Sequence, residues 1–165
     1  LSQLENQEIV LQQETYMLDE QIRRVLLSYE PLWEEKELNI DLALAGTPVY
    51  GSKSLLAQVW SNLIDNAIKF SRKGGTLFIS CGVFDGKVVV RIRDNGIGMS
   101  EDVRQHAFDK FYQGERSHTG QGSGLGLALV RRIISLSGGT IELQSKEGKG
   151  TEITVSLKNE QQIVS

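Results

Sequence analysis

The chain has 165 residues, a net charge of −3 and 39% hydrophobic residues, enough for one sizeable core. No apolar run approaches the ~20 residues of a membrane helix, and no basic stripe offers a nucleic-acid surface. The single Cys81 cannot form an internal disulfide, which fits a cytoplasmic setting.

From the N-terminus, Leu1 to about Gln13 reads as the end of a longer helix, with Leu4, Leu11, Leu18 and Val25 at heptad spacing. Glu8 and Thr15 spoil the other seam position, so a full coiled coil is not supported. Thr15–Leu18 suits a short strand. Asp19 then suits the cap of a helix to about Lys36, kinked or divided at Pro31. Leu38–Leu44 alternates as a strand with one buried face, and Gly46–Pro48 reads as a turn.

Lys53–Ser71 is the strongest helix. Leu55, Leu56, Val59, Trp60, Leu63, Ile64, Ala67 and Ile68 form a wide apolar stripe, and Gly74-Gly75 ends it. Thr76–Phe84 and Lys87–Arg93 are strands joined by Asp85-Gly86, a hairpin signal. Glu101–Tyr112 is a short helix, Gln113–Ser123 is polar and glycine-rich, and Leu125–Ser137 is an apolar helix closed by Gly138-Gly139. Thr140–Ser145 and Thr151–Leu157 make a last hairpin. Strands and helices are mixed without regular alternation. That predicts an α+β fold, a two-layer sandwich with a mixed, mostly antiparallel sheet on one face and helices on the other.

Three stretches carry candidate chemistry. Gln58, Asn62, Asn66 and Lys69 share one face of the long helix, bordering its apolar stripe. Asparagine costs about 0.5 kcal/mol or more relative to alanine inside a helix, so two on one stripe suggest a purpose. Amide oxygens suit Mg²⁺ whose charge is balanced by phosphates, and Lys69 suits the phosphates themselves. The plainer reading is that these amides satisfy nearby backbone groups. Asp94-Asn95-Gly96-Ile97-Gly98 follows a Val/Ile strand. Asp94, an acceptor-only carboxylate, can take a hydrogen bond from the adenine amino group and would repel a guanine carbonyl. An ordinary Asx turn is the plainer reading there. Third, Gly120–Leu127 opens an apolar helix whose N–H groups would face an anion. It is neither a Walker A motif nor a dinucleotide fingerprint.

Together these stretches resemble the Bergerat-fold ATPases and kinases, and among them the sensor histidine kinases of two-component systems. Asn62–Ser71 resembles the N box, Asp94–Met99 the first glycine box, and Phe108–Tyr112 the F box. Gly122–Leu127 resembles the second glycine box, and Gly148–Thr151 the last box. The boxes occur in the family's order and spacing, over about Asp19 to Leu157.

The resemblance implies ATP and Mg²⁺ as cofactors. Asn66 would bind the metal, with Asn62 as a second contact, and Lys69 would reach the phosphates; Asn66 and Lys69 would be the catalytic pair. Asp94 would accept from adenine, with Thr151 nearby through water. Phe70 would pack on adenine, and Ile97, Met99 and Leu127 would supply apolar walls. Gly96 and Gly98 would shape the first glycine turn. Gly122, Gly124, Leu125 and Gly126 would pass backbone near the phosphates. A lid over 99–123 would hold Arg116 and Gln121.

The hydrolysing branch, typified by DNA gyrase and Hsp90, carries a glutamate one turn before the essential asparagine. Here that position is Asn62. The resemblance therefore implies a kinase that holds ATP for another nucleophile; an ATP-sensing module without transfer and an ATP hydrolase are the other readings. His106 and His118 are the chain's histidines, and neither resembles a phosphoacceptor. That histidine is expected on an upstream dimerisation domain, of which 1–14 would be a remnant, with 15–160 as the catalytic domain. A response-regulator receiver domain would be the downstream partner. The parent would be a homodimer and this fragment a monomer, with no membrane or nucleic-acid contact of its own.

Overall fold

The alternating stretches fold as strands, and the amphipathic ones cover them from one side. In the computed structural model, which describes residues 12–109 and 126–159, β1 (Gln13–Met17) leads into α1 (Leu18–Leu27) and α2 (Glu30–Glu35). β2 (Asn39–Leu44), β3 (Pro48–Ser52) and α3 (Lys53–Phe70) follow, then β4 (Thr76–Phe84), β5 (Lys87–Asp94) and α4 (Glu101–Gln105). α5 (Gly126–Leu136), β6 (Thr140–Lys146) and β7 (Gly150–Lys158) complete the described chain.

Five strands form one sheet in the order β2-β4-β5-β7-β6, parallel only between β2 and β4. One face presents Leu77, Ile79, Cys81, Val88, Val90, Ile92, Ile153, Val155 and Leu157, all buried. Ile22 and Leu26 of α1, Val59, Trp60, Leu63 and Ile64 of α3, and Val130, Ile133 and Ile134 of α5 pack on it as a second layer. The expected α+β sandwich is therefore the observed one. The β4–β5 turn has positive φ at both Asp85 (51°) and Gly86 (74°), the backbone that matches the twist of a tight hairpin. Among the described residues, no helix is long and apolar enough to cross a membrane.

The helix anticipated from Asp19 to Lys36 takes the divided form: it is two helices, with Pro31 in the first turn of the second, where its missing N–H costs nothing. Three expectations change. Asp19 is not the cap. It is buried, and its Oδ1 accepts from the Thr47 N–H (2.9 Å), while the Leu18 N–H donates to the Thr47 carbonyl (2.8 Å). Pro48, anticipated as the end of a turn, instead opens strand β3, paired antiparallel with β1 in a separate two-stranded ribbon. The helix anticipated over Glu101–Tyr112 ends at Gln105, and residues 106–109 continue as a turn.

A buried polar hub ties the layers together. Gln21 Oε1 accepts from the Tyr16 hydroxyl (3.0 Å) and the Trp60 indole (2.9 Å), and its Nε2 donates to the Lys53 carbonyl (2.8 Å). Burial raises the Tyr16 pKa well above the phenol range, so this hydroxyl stays a donor.

Candidate nucleotide site

Ser52 starts α3 by accepting from the Leu55 N–H (3.3 Å), and eighteen residues later the chain leaves at Ser71. The helix turns its apolar stripe to the sheet, which leaves Asn62, Asn66 and Lys69 half-buried along the border of the layer. Asn62 Nδ2 donates to the Gln58 carbonyl (2.8 Å), so the plainer reading holds for that nitrogen. Its oxygen lies against the start of α5: a Cβ on Gly126 would sit 3.3 Å from Asn62 Oδ1. The Lys69 ammonium pairs with Asp65 (2.9 Å), one turn back. A phosphate would have to compete with that carboxylate, and a half-exposed pair of this kind holds by about 0.5 kcal/mol.

Asp94 ends β5 and is buried. Its Oδ1 accepts from the Gly96 N–H (2.9 Å), an Asx bond, and the backbone of Thr151 supplies a second. Burial raises the carboxyl above its ordinary value, while those two bonds and the charge of Lys36 pull it back. Thr151 stands opposite Asp94 across the β5–β7 ladder. Its hydroxyl bonds Ser145 Oγ (2.7 Å), which itself accepts from the Met99 N–H (2.8 Å).

The glycines of this turn are spaced by backbone. A Cβ on Gly96 would lie 2.0 Å from the Phe70 carbonyl oxygen. One on Gly98 would lie 2.1 Å from that of Lys146, and one on Gly150 2.1 Å from that of Asp94. The Ile97 N–H donates to the Phe70 carbonyl (3.1 Å), and the Gly148 N–H to the Ile97 carbonyl (2.7 Å). The turn after Asp94 is thus clamped between the end of α3 and the β6–β7 turn. Asn66, Lys69, Phe70, Asp94, Gly96, Ile97, Gly98, Met99 and Thr151 come from three segments joined by these bonds. Asn62 meets Gly126 across the α3–α5 contact, and Leu127 packs on the core. Arg116, Gln121, Gly122, Gly124 and Leu125, with most of the expected lid and the stretch 1–11, lie outside the described residues.

Sequence reasoning missed Lys36. Its ammonium donates to the carbonyls of Ile68 (2.8 Å), Lys69 (2.6 Å) and Ser71 (2.9 Å), at the end of α3. Nothing in local sequence announces a contact across more than thirty residues. His106 Nδ1 lies 2.7 Å from Asp109 Oδ2, and its Nε2 3.9 Å from Asp102.

This arrangement defines an α+β ATPase-type domain with an asparagine helix facing an aspartate turn. The chain belongs to the family of histidine kinase-, DNA gyrase B-, and HSP90-like ATPases, whose model matches residues 51–161. It is 30% identical over its whole length to the heme sensor protein HssS of Staphylococcus saprophyticus, and spans 35% of that protein. Among solved structures it is similar to the Acinetobacter baumannii histidine kinase AdeS, with a TM-score of 0.79 and 30% identity over 96% of this chain and 73% of that one. It is also similar to full-length ShkA in complex with AMPPNP, with a TM-score of 0.82 and 26% identity over 96% of this chain and 34% of that one. The domain is thus of the sensor-histidine-kinase type within its family.

Proposed function

We propose that this chain is the Mg-ATP-binding catalytic domain of a sensor histidine kinase. It presents ATP for transfer of the γ-phosphoryl group to a histidine on a separate dimerisation and phosphoacceptor domain. The observation that carries this reading is the amide at position 62. Asn62 stands one turn before Asn66 on α3, with its nitrogen given to Gln58 and its oxygen toward α5. An amide cannot take a proton from water, so hydrolysis lacks its base. His106 faces the carboxylates of Asp109 and Asp102, and in this reading the acceptor histidine belongs to another domain.

In this reading the Asp94 carboxylate accepts from the adenine amino group, which AMPPNP, the ligand of ShkA, also carries. Asn66 and Asn62 hold Mg²⁺, and Lys69 exchanges Asp65 for phosphate. The donor set fits a metal that arrives with its nucleotide. The candidate ligands are neutral amides, and among the described residues no group of three or more His, Cys, Asp or Glu side chains is placed to hold an ion. Phosphates therefore supply the negative ligands, as Mg²⁺ prefers. Bound there, the ion would neutralise phosphate charge. The chain's own work is positioning: the α3 face sets the phosphates, the Asp94 turn sets the base, and the spacing between them aims the γ-phosphoryl group. A response regulator receives the signal, the parent is a homodimer, and the domain works in the cytosol.

Titration with ADP and an ATP analogue, with and without Mg²⁺, tests the site. Adenine nucleotides should bind with guanine excluded, and Asn66→Ala should lose the metal-dependent part of the affinity. Equal binding of guanine nucleotides would remove Asp94 from its role. With a dimerisation domain added in trans, acid-labile phosphate should appear on it. Rapid ATP hydrolysis without any acceptor would overturn the kinase reading.

A further inference from the structure

The last turn of a helix leaves carbonyls without partners inside it, at the negative end of its dipole. At the end of α3 the Lys36 ammonium collects the carbonyls of Ile68, which also accepts from the Ser71 N–H (3.2 Å), of Lys69, and of Ser71 just past the last helical residue. The backbone of the same segment is bonded as well. The Gly74 N–H donates to the Lys36 carbonyl (2.8 Å), and the Asn39 N–H to the Gly75 carbonyl (2.8 Å). Between the gripped carbonyls, Phe70 offers its own to the Ile97 N–H, and Gly96 rests on it with no room for a Cβ. Lys36 is therefore one residue removed from the bond that joins the asparagine helix to the aspartate turn.

We infer that Lys36 is a positioning residue for the nucleotide: its ammonium fixes the end of α3 against the Asp94 turn and sets the spacing between the Asn66–Lys69 face and the adenine-reading carboxylate. This rests on the nucleotide reading of Asp94 and Asn66. Burial pulls the Lys36 pKa down and the charge of Asp94 pulls it up, so the two groups sense one another across the clamp. A lysine that only capped a helix would stabilise α3 and leave the chemistry of Asp94 alone.

The two roles separate in ADP titrations of the whole chain, carried from neutral pH into acid. Lys36→Gln keeps two N–H donors and loses the charge; Lys36→Arg keeps both. With the ammonium gone, Asp94 should protonate higher in pH, and each unit of that displacement weakens ADP binding about tenfold on the acid side. Lys36→Arg should return the acid limb to its place. Glu37→Gln, which breaks only the surface pair with Lys73, should bind like the unaltered chain. An acid limb unmoved in Lys36→Gln overturns the inference, whether affinity is unchanged or falls equally at every pH. Should Lys36→Gln not fold, the carbon resonance beside the Lys36 ammonium in the unaltered chain carries the test. It should move when ADP binds, and indifference would overturn the role. A chain that binds no ADP, or binds GDP equally, fails instead at the nucleotide reading.

Discussion

Gly98 and Gly148 allow a controlled comparison of two reasons for a glycine. Both have positive φ, 67° and 81°. Alanine at either carries the left-handed cost, roughly 1 kcal/mol. Only Gly98 also lacks space: its Cβ would lie 2.1 Å from the Lys146 carbonyl oxygen and 3.1 Å from the Gly150 nitrogen, whereas one on Gly148 meets nothing within 4 Å. Relieving the overlap means backing the Asp94 turn away from the β6–β7 turn. That opens the Gly148-to-Ile97 and Met99-to-Ser145 hydrogen bonds, at roughly 1 kcal/mol each. Residual overpacking adds about 1 kcal/mol or more. Gly148→Ala should therefore cost about 1 kcal/mol and Gly98→Ala about 4 kcal/mol. In a domain of this size the second lowers Tm by about 10 °C and the first by a few degrees. Urea unfolding followed by tryptophan fluorescence measures both. Equal losses in the two variants would refute the close crossing.

Three further outcomes are expected. Gln21→Leu strands the Trp60 indole and the Tyr16 hydroxyl in the core and should cost about 2–4 kcal/mol, read by urea unfolding; a loss under 1 kcal/mol would mean the hub is dispensable. Asp94 has a folded pKa above its unfolded value, so its share of stability is full below the unfolded value and is lost as pH rises through the folded one. ADP binding, which uses the ionised form, runs the other way and weakens as pH falls through that raised pKa. The stability difference from Asp94→Asn and the ADP affinity, each taken against pH, check the two trends; affinity constant down into the ordinary carboxylate range would sink the assignment. Gly126→Ala should leave stability within about 1 kcal/mol, since alanine favours the helix. It should still weaken nucleotide binding by crowding Asn62 Oδ1, and an unchanged ADP affinity would remove Asn62 from the site.

What was legible in the sequence was whatever repeats locally. The stripe from Leu55 to Ile68 and the Asp85-Gly86 turn each announce themselves within a few residues, and α3 and the β4–β5 hairpin follow. β3 gives no such signal, because Pro48–Ser52 has one buried aliphatic residue, Val49, and becomes a strand through its pairing with β1 more than thirty residues away. Asp19 had the right composition for a cap, but the Thr47 N–H competes for its carboxylate, and the cap is supplied by a carbonyl instead. In the site, the positions of Asn66 and Asp94 followed from periodicity and from a strand end. The Asp65 partner of Lys69 was one helical turn away and visible in principle; the three carbonyls held by Lys36 were not.

The glycine turn is where the physical account differs most from the motif. Glycines after Asp94 suggested backbone approaching a ligand. A Cβ at Gly96, Gly98 or Gly150 would meet the carbonyl of Phe70, Lys146 or Asp94 instead, so the close approach these glycines permit is of backbone to backbone. That changes what they contribute. A turn that only touched a ligand would be free to adjust, whereas one wedged between α3 and the β6–β7 hairpin holds the Asp94 carboxylate in a fixed place beside the end of α3. In the proposed kinase, discrimination of adenine then depends on rigidity at that carboxylate. An alanine at Gly96 should therefore raise Kd for ADP and reduce the preference over GDP together. A loss of affinity with the preference intact would show that Gly96 serves the phosphates alone.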